Sequence, residues 1–253
     1  MIDISWFELS ISYVFLLIPY ILIRKYKIGL TKDLFISIAR MTLQLLFVGV
    51  YLEVIFRLNY WWLNVLWLII MFVVTSSTVL SRTKLKKSFF LPIFFSVLIS
   101  VFLFLGFVVV FVLKLDNFFD APYIIPIAGM LIGNCLSDLV VSLNTFINNI
   151  NKQQNTYYFA IANGASQKEA LEPFYRSALK IKYNQSLAAM AVIGLVSLPG
   201  MMTGQILGGS TPEVAIKYQL LIMLTIFTTT SLSNFLALKF ICKKLINDYN
   251  CIK

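Results

Sequence analysis

The sequence predicts an all-α polytopic membrane protein with about seven transmembrane helices and a cytoplasmic helix-turn-helix between the fifth and sixth. Three observations carry that expectation. Hydrophobic residues make up 59% of the 253-residue chain and charged ones only 13%; apolar runs of membrane-spanning length recur along it; and the basic residues gather in every second interval between those runs. A chain this long with so little charge cannot fold as a water-soluble globule without large exposed apolar patches.

Crossing about 30 Å of hydrocarbon takes roughly 20 helical residues. Runs of that scale lie at residues 6–23, 34–56, 60–80, 89–113, 122–147, 186–208 and 214–238. The first is read as a helix rather than a cleaved leader, because its charges follow the apolar stretch and no small-x-small site precedes Arg24. The second carries Arg40 and Gln44 on one face and Glu53 near its outer end. The fifth carries Gly129, Gly133, Asn134 and Asp138, and the sixth carries Pro199 with Gly200, Gly204 and Gly208 at four-residue spacing.

Of the 21 Lys and Arg residues, all but Arg40, Arg57, Lys114 and Lys217 follow the odd-numbered runs or lie in the final tail. Short loops rich in positive charge stay cytoplasmic, so the N-terminus is expected outside and the C-terminus inside, in the plasma membrane. The net charge of +10 sits in juxtamembrane clusters suited to anionic lipid headgroups, without a soluble domain to present it to nucleic acid. The three cysteines, Cys135 in the fifth run and Cys242 and Cys251 on the tail, are expected to be reduced thiols. With no histidine in the chain, His-based metal sites and His general-base chemistry are excluded.

No glycine is followed by lysine, so the chain has no phosphate-binding loop. If ATP drives transport, ATP and Mg belong to a separate polypeptide, and this chain binds no cofactor of its own. The docking element for such a partner is the polar stretch 148–185, within a single permease domain spanning 1–253. It reads as two short helices around a turn, with Gly164 in the left-handed conformation that ends the first and Ser166 capping the second. Ser166-Gln167-Lys168-Glu169 is a capping box. The short side chains of Ala160, Ala162, Ala165 and Ala170 keep the turn slim enough for a partner to approach, and Pro173 should kink the second helix.

Two stretches, the Gly164-Ala165-Ser166 turn and residues 194–209 (Gly194-Leu195-Val196-Ser197-Leu198-Pro199-Gly200-Met201-Met202-Thr203-Gly204-Gln205-Ile206-Leu207-Gly208-Gly209), together resemble the FetB-type permeases, the membrane subunits of iron-export ABC transporters. Residues 129–134 and 40–46, with Glu53, extend the likeness over most of the chain. The resemblance implies a permease, a homodimer coupled to an ABC ATPase, with alternating access and a transported metal ion; plant relatives tied to aluminium tolerance and sugar-nucleotide movement leave the cargo open. It implies coupling residues at Tyr158, Ala160, Asn163, Gly164, Ala165, Ser166, Glu169 and Phe174. One departure stands at Tyr158, where such segments often carry a glutamate six residues before the turn glycine.

Candidates for the pathway are Arg40, Gln44, Glu53, Asn134, Asp138, Met201, Met202 and Gln205; no metal-ligand set is assigned. Pro199 breaks the backbone ladder and marks a hinge or unwound segment. Gly129, Gly133, Gly200, Gly204 and Gly208 are read chiefly as helix-packing faces. Arg40 is the expected partner of Asp138 if their helices are neighbours, as either a structural pair or a pathway element. An ATPase-independent secondary transporter or channel, or an ABC permease for a non-metal cargo, remains the alternative.

Overall fold

The structure, a computed structural model, describes residues 5–196 and 198–245. Ser197, Cys251 and Lys253, used in the sequence reading, lie outside the described residues. The chain is all-helical, 86% helix, and its contacts divide it into two compact units, Met1–Asn59 and Tyr60–Lys253.

The first unit contains α1 (Trp6–Ser12), a 3-10 turn (Tyr13–Leu16), α2 (Leu17–Lys25) and α3 (Thr31–Leu58). Ser5 starts α1 with a capping box, its hydroxyl accepting from the amides of Phe7 and Glu8 while Glu8 accepts from the Ser5 amide. α1 and α2 form one candidate span and α3 another, tied by a hydrogen bond between the Tyr13 and Thr42 hydroxyls (2.7 Å) and the Tyr20–Phe35 ring contact. Asn59, left-handed at φ 45°, ends α3.

The second unit contains α4 (Trp61–Thr83), α5 (Phe90–Phe107) with a π-helical continuation (Val108–Val112), α6 (Ala121–Lys152), α7 (Gln154–Ala162), α8 (Gln167–Val192), α9 (Gly200–Leu207) and α10 (Pro212–Leu245). Helices α4, α5, α6 and α10 pack around Val79, Ile93, Val97, Val101, Leu131, Leu139, Phe146, Leu238 and Ile241, all essentially inaccessible. Small hydroxyl residues line the same contacts. Ser76, Thr83, Ser96 and Ser100 each donate to a carbonyl of their own helix, which satisfies the group and lets neighbouring backbones approach closely. The large exposed apolar surface of the outer faces suits lipid.

Six helices among the described residues are long and apolar enough to cross a membrane, not seven. The predicted sixth run, 186–208, is broken: α8 ends at Val192, the backbone leaves helical geometry with Gly194 at φ +91°, and helix resumes only at Gly200 after Pro199. Proline has no amide to donate and biases its predecessor away from helix, so the break falls where the sequence places a hinge.

The helix ends of the second unit sort onto two faces. Lys244 at the end of α10 donates to the Ser88 carbonyl just before α5 (2.6 Å), and Asn149 near the end of α6 donates to Ser177 early in α8 (2.9 Å). At the opposite end, Asn64 of α4 donates to the Phe119 carbonyl just before α6 (2.7 Å). The ends grouped by Lys244 and Ser88 therefore carry the basic clusters.

Candidate functional site

Two regions carry the chemistry: an exposed elbow between α7 and α8, and a polar cluster inside the bundle. At the elbow, α7 closes with a Schellman motif, the Gly164 amide donating to Ile161 (3.0 Å) and the Ala165 amide to Ala160 (3.1 Å). This requires the left-handed backbone that Gly164 supplies at φ +88°. Asn163 caps the same turn, its Nδ2 donating to the Phe159 carbonyl (2.7 Å).

The capping box forms as the sequence predicts. Ser166 accepts from the Glu169 amide (3.4 Å), while the Glu169 carboxylate accepts from the Ser166 amide (2.8 Å) and hydroxyl (2.7 Å). Those bonds hold the Glu169 carboxyl below the ordinary range. Tyr158 is 40% exposed and stacks edge-on against the buried Tyr157.

Two features of this segment, and one of α10, differ from expectation. The second helix is not short: α8 runs through Pro173 without ending, packs into the bundle as far as Lys182 and continues past residue 185 to Val192. Phe174 is buried and anchors the elbow instead of presenting a docking surface. Cys242, placed on the tail by the sequence, is a buried free thiol within α10; Cys135 is also free and buried.

Inside the bundle α8 runs antiparallel to both α6 and α10. Tyr175 stacks on Phe146 and donates to the Leu238 carbonyl (3.2 Å), and further along α8 Lys182 reaches Asp138 and Ser231. The side chain of Lys182 is fully buried. Its ammonium donates to the Ser231 hydroxyl at 2.8 Å, lies 4.5 and 4.8 Å from the ring centres of Tyr183 and Phe227, and sits 3.9 Å from the Asp138 carboxylate. Thr230 donates to the Phe227 carbonyl (3.3 Å) and Ser142 donates to the Asn234 side-chain carbonyl, and Cys135 and Ser233 are buried in the same interior. Asp138 and Ser231 each lie roughly 20–30 Å from both ends of their helices at about 1.5 Å per residue, in the middle third of α6 and of α10.

Asp138 takes a cation from within its own unit, Lys182; Arg40, the partner the sequence proposes, belongs to the first unit, where it and Gln44 are exposed on α3. Lys182 is one of the basic residues of the 148–185 stretch that positive-charge counting assigns to a cytoplasmic loop. Glu53 pairs with Arg57 on the exposed face of α3 (3.1 Å). Asn134 is exposed on α6, its Nδ2 donating to the Met130 carbonyl. Met201, Met202 and Gln205 are half-buried on α9, and the Gln205 side-chain oxygen is buried without a partner.

Of the predicted packing glycines, Gly129 meets a neighbouring helix: a Cβ there would lie 3.3 Å from the Met71 methyl. Gly133, Gly200 and Gly204 face open space in this chain, and Gly208 meets only backbone of the turn before it. Among the described residues no three His, Cys, Asp or Glu side chains gather as a metal cluster.

The residues that the sequence reading missed are Lys182, Ser142, Thr230, Ser231 and Asn234. A signal was present: residues 228–234 put six hydroxyl or amide side chains into an otherwise apolar span.

Residues 6–246 match the model of an uncharacterised protein family, UPF0014. The chain belongs to that family. It is 31% identical over 230 residues to the UPF0014 membrane protein YjkA of Bacillus subtilis, covering 90% of each chain. It is 27% identical over 241 residues to the protein of Escherichia coli named as a probable iron export permease, FetB, covering 95% of this chain and 92% of that one. A 118-residue stretch is 38% identical to ALUMINUM SENSITIVE 3 of Arabidopsis thaliana, covering 46% of this chain and 43% of the relative. No solved structure matches the chain. The membership and the six apolar helices make this UPF0014 chain a multi-pass membrane protein of a family that includes named permeases.

Proposed function

We propose that the chain is the membrane subunit of an ABC transporter that exports iron or another metal cation, acting as a homodimer with a separate ATPase chain that supplies ATP and Mg. The observation that carries the reading is α8: one uninterrupted helix, about 39 Å long at 1.5 Å per residue, joins the exposed Gly164–Ser166 elbow to the charged cluster and ends at the mid-chain break. A push on the elbow is delivered along a rigid rod to Lys182 and to the 193–199 segment. The FetB relative's name supports the permease and cargo class.

In this reading α8, the break and α9 together make the seventh crossing. That lets α10 run from the outer face inwards and leaves the basic ends cytoplasmic. Non-helical backbone at membrane depth is tolerated only inside protein or along a watery cavity, the arrangement expected of a transport path. Coexpression with a candidate ABC ATPase from the same genome, followed by copurification and ATP-driven Fe²⁺ flux in proteoliposomes, tests the reading; flux that is unchanged without the ATPase favours a secondary transporter built on the Asp138–Lys182 pair.

A further inference from the structure

We propose that Lys182 is a built-in competitor for the transported cation at Asp138, so that an oxygen-seeking divalent ion binds the carboxylate only as the lysine withdraws. The inference rests on the metal-cargo reading above and adds the site and its exchange mechanism.

The two partners are held unequally. Lys182 is enclosed by Ser231 and by the Tyr183 and Phe227 rings, and these contacts fix the position of its ammonium independently of Asp138. Its 3.9 Å approach to Asp138 is well beyond the roughly 2.7–2.9 Å of a tight charge-assisted bond. Asp138, by contrast, keeps 22% of its side chain exposed. It lies at the edge of an α6 face on which Gly133, Asn134 and Ser137 are all exposed and no heavy atom lies within 4 Å of a Cβ at Gly133.

Exposed amide and hydroxyl groups in the middle third of a candidate span do not belong against lipid, and mark water or a path. The carboxylate is therefore the open member of the pair, with Asn134 about one helical turn away on the same face. A single carboxylate with neutral oxygen donors binds a divalent ion weakly, which suits a cargo that must leave. While Lys182 is near, its charge disfavours occupancy. Moving α8 alters that distance, and so ties ion affinity to the elbow.

The test uses the full chain in lipid nanodiscs and Mn²⁺ alone as probe, with bound ion read by electron paramagnetic resonance. Lys182→Met should tighten Mn²⁺ binding at least about tenfold, because a like charge a few ångströms away is gone. Ser231→Ala, which only loosens the lysine, should change affinity by a smaller factor without unfolding the bundle. Asp138→Asn should abolish binding in both the native and the Lys182→Met backgrounds. Equal affinity in the native, Lys182→Met and Ser231→Ala proteins overturns the inference, as does binding that survives Asp138→Asn. Absence of Mn²⁺ binding in every folded variant also overturns it, while ATPase copurification and ATP-driven flux judge the permease reading separately.

Discussion

Gly164→Val isolates the backbone requirement of the elbow. A Cβ at Gly164 meets nothing within 4 Å, so the added side chain clashes with no neighbour, and the strain comes from φ +88°. For an L-residue the left-handed region is unfavourable by roughly 1–2 kcal/mol, more for a β-branched side chain. That lowers the population of the intact turn by about 5- to 30-fold and loosens the bonds from Gly164 to Ile161 and from Ala165 to Ala160. Gly164→Asn tolerates the same φ and provides the control for bulk. The assay is copurification with the ATPase and its stimulated hydrolysis in proteoliposomes, with membrane-bundle stability followed in parallel. Valine should uncouple the partner and leave the bundle folded, with asparagine close to the native protein. Equal damage from both, or none from valine, would refute the argument that the turn's backbone geometry is what the partner reads.

Lys182→Met should destabilise the bundle more than Arg40→Ala, towards the roughly 3–5 kcal/mol of a broken buried pair but reduced by the partial exposure of Asp138; Lys182→Met with Asp138→Asn should recover part of the loss in a thermal-stability cycle. Gly204→Leu, opposite open space within the chain, should leave protomer stability unchanged and reduce association between copies, as read by crosslinking. Failure to weaken the dimer places Gly204 against lipid. Glu169 titrates below its ordinary value because the cap stabilises its charged form, so the cap's contribution is complete above that ordinary value and fades as pH falls through the depressed one. Hydrogen exchange at the first turn of α8 should stay slow through neutral and mildly acidic pH, whereas Glu169→Gln should speed it at pH 7.

The elbow was legible in the sequence because capping is local chemistry: Gly164, Ser166 and Glu169 interact within a few residues of one another, and their order along the chain specifies the geometry. The break at Pro199 was legible for the same reason. The charged cluster was not. Positive-charge counting treats every lysine alike, and nothing near Lys182 signals that its partners are 44 and 49 residues away in Asp138 and Ser231. The extent of α8 was not legible either, since its polar first half reads as a short helix of the 148–185 segment where a single helix runs from Gln167 to Val192. The glycine stripe marks a small-residue face by its spacing, but spacing does not reveal what covers that face.

The burial of Lys182 has a consequence for how the protein is made. As the chain leaves the ribosome, α8 emerges well before Phe227 and Ser231, which enclose its ammonium in the finished molecule. A lysine near the centre of an isolated inserting helix is unfavourable by about 2.5–3.5 kcal/mol on insertion scales. The half-spanning helix that follows contributes little to offset it. Stable entry of this segment into the bilayer therefore waits for the helix that carries Phe227 and Ser231, so chains stopped before residue 227 should leave α8 at the membrane surface, open to added protease.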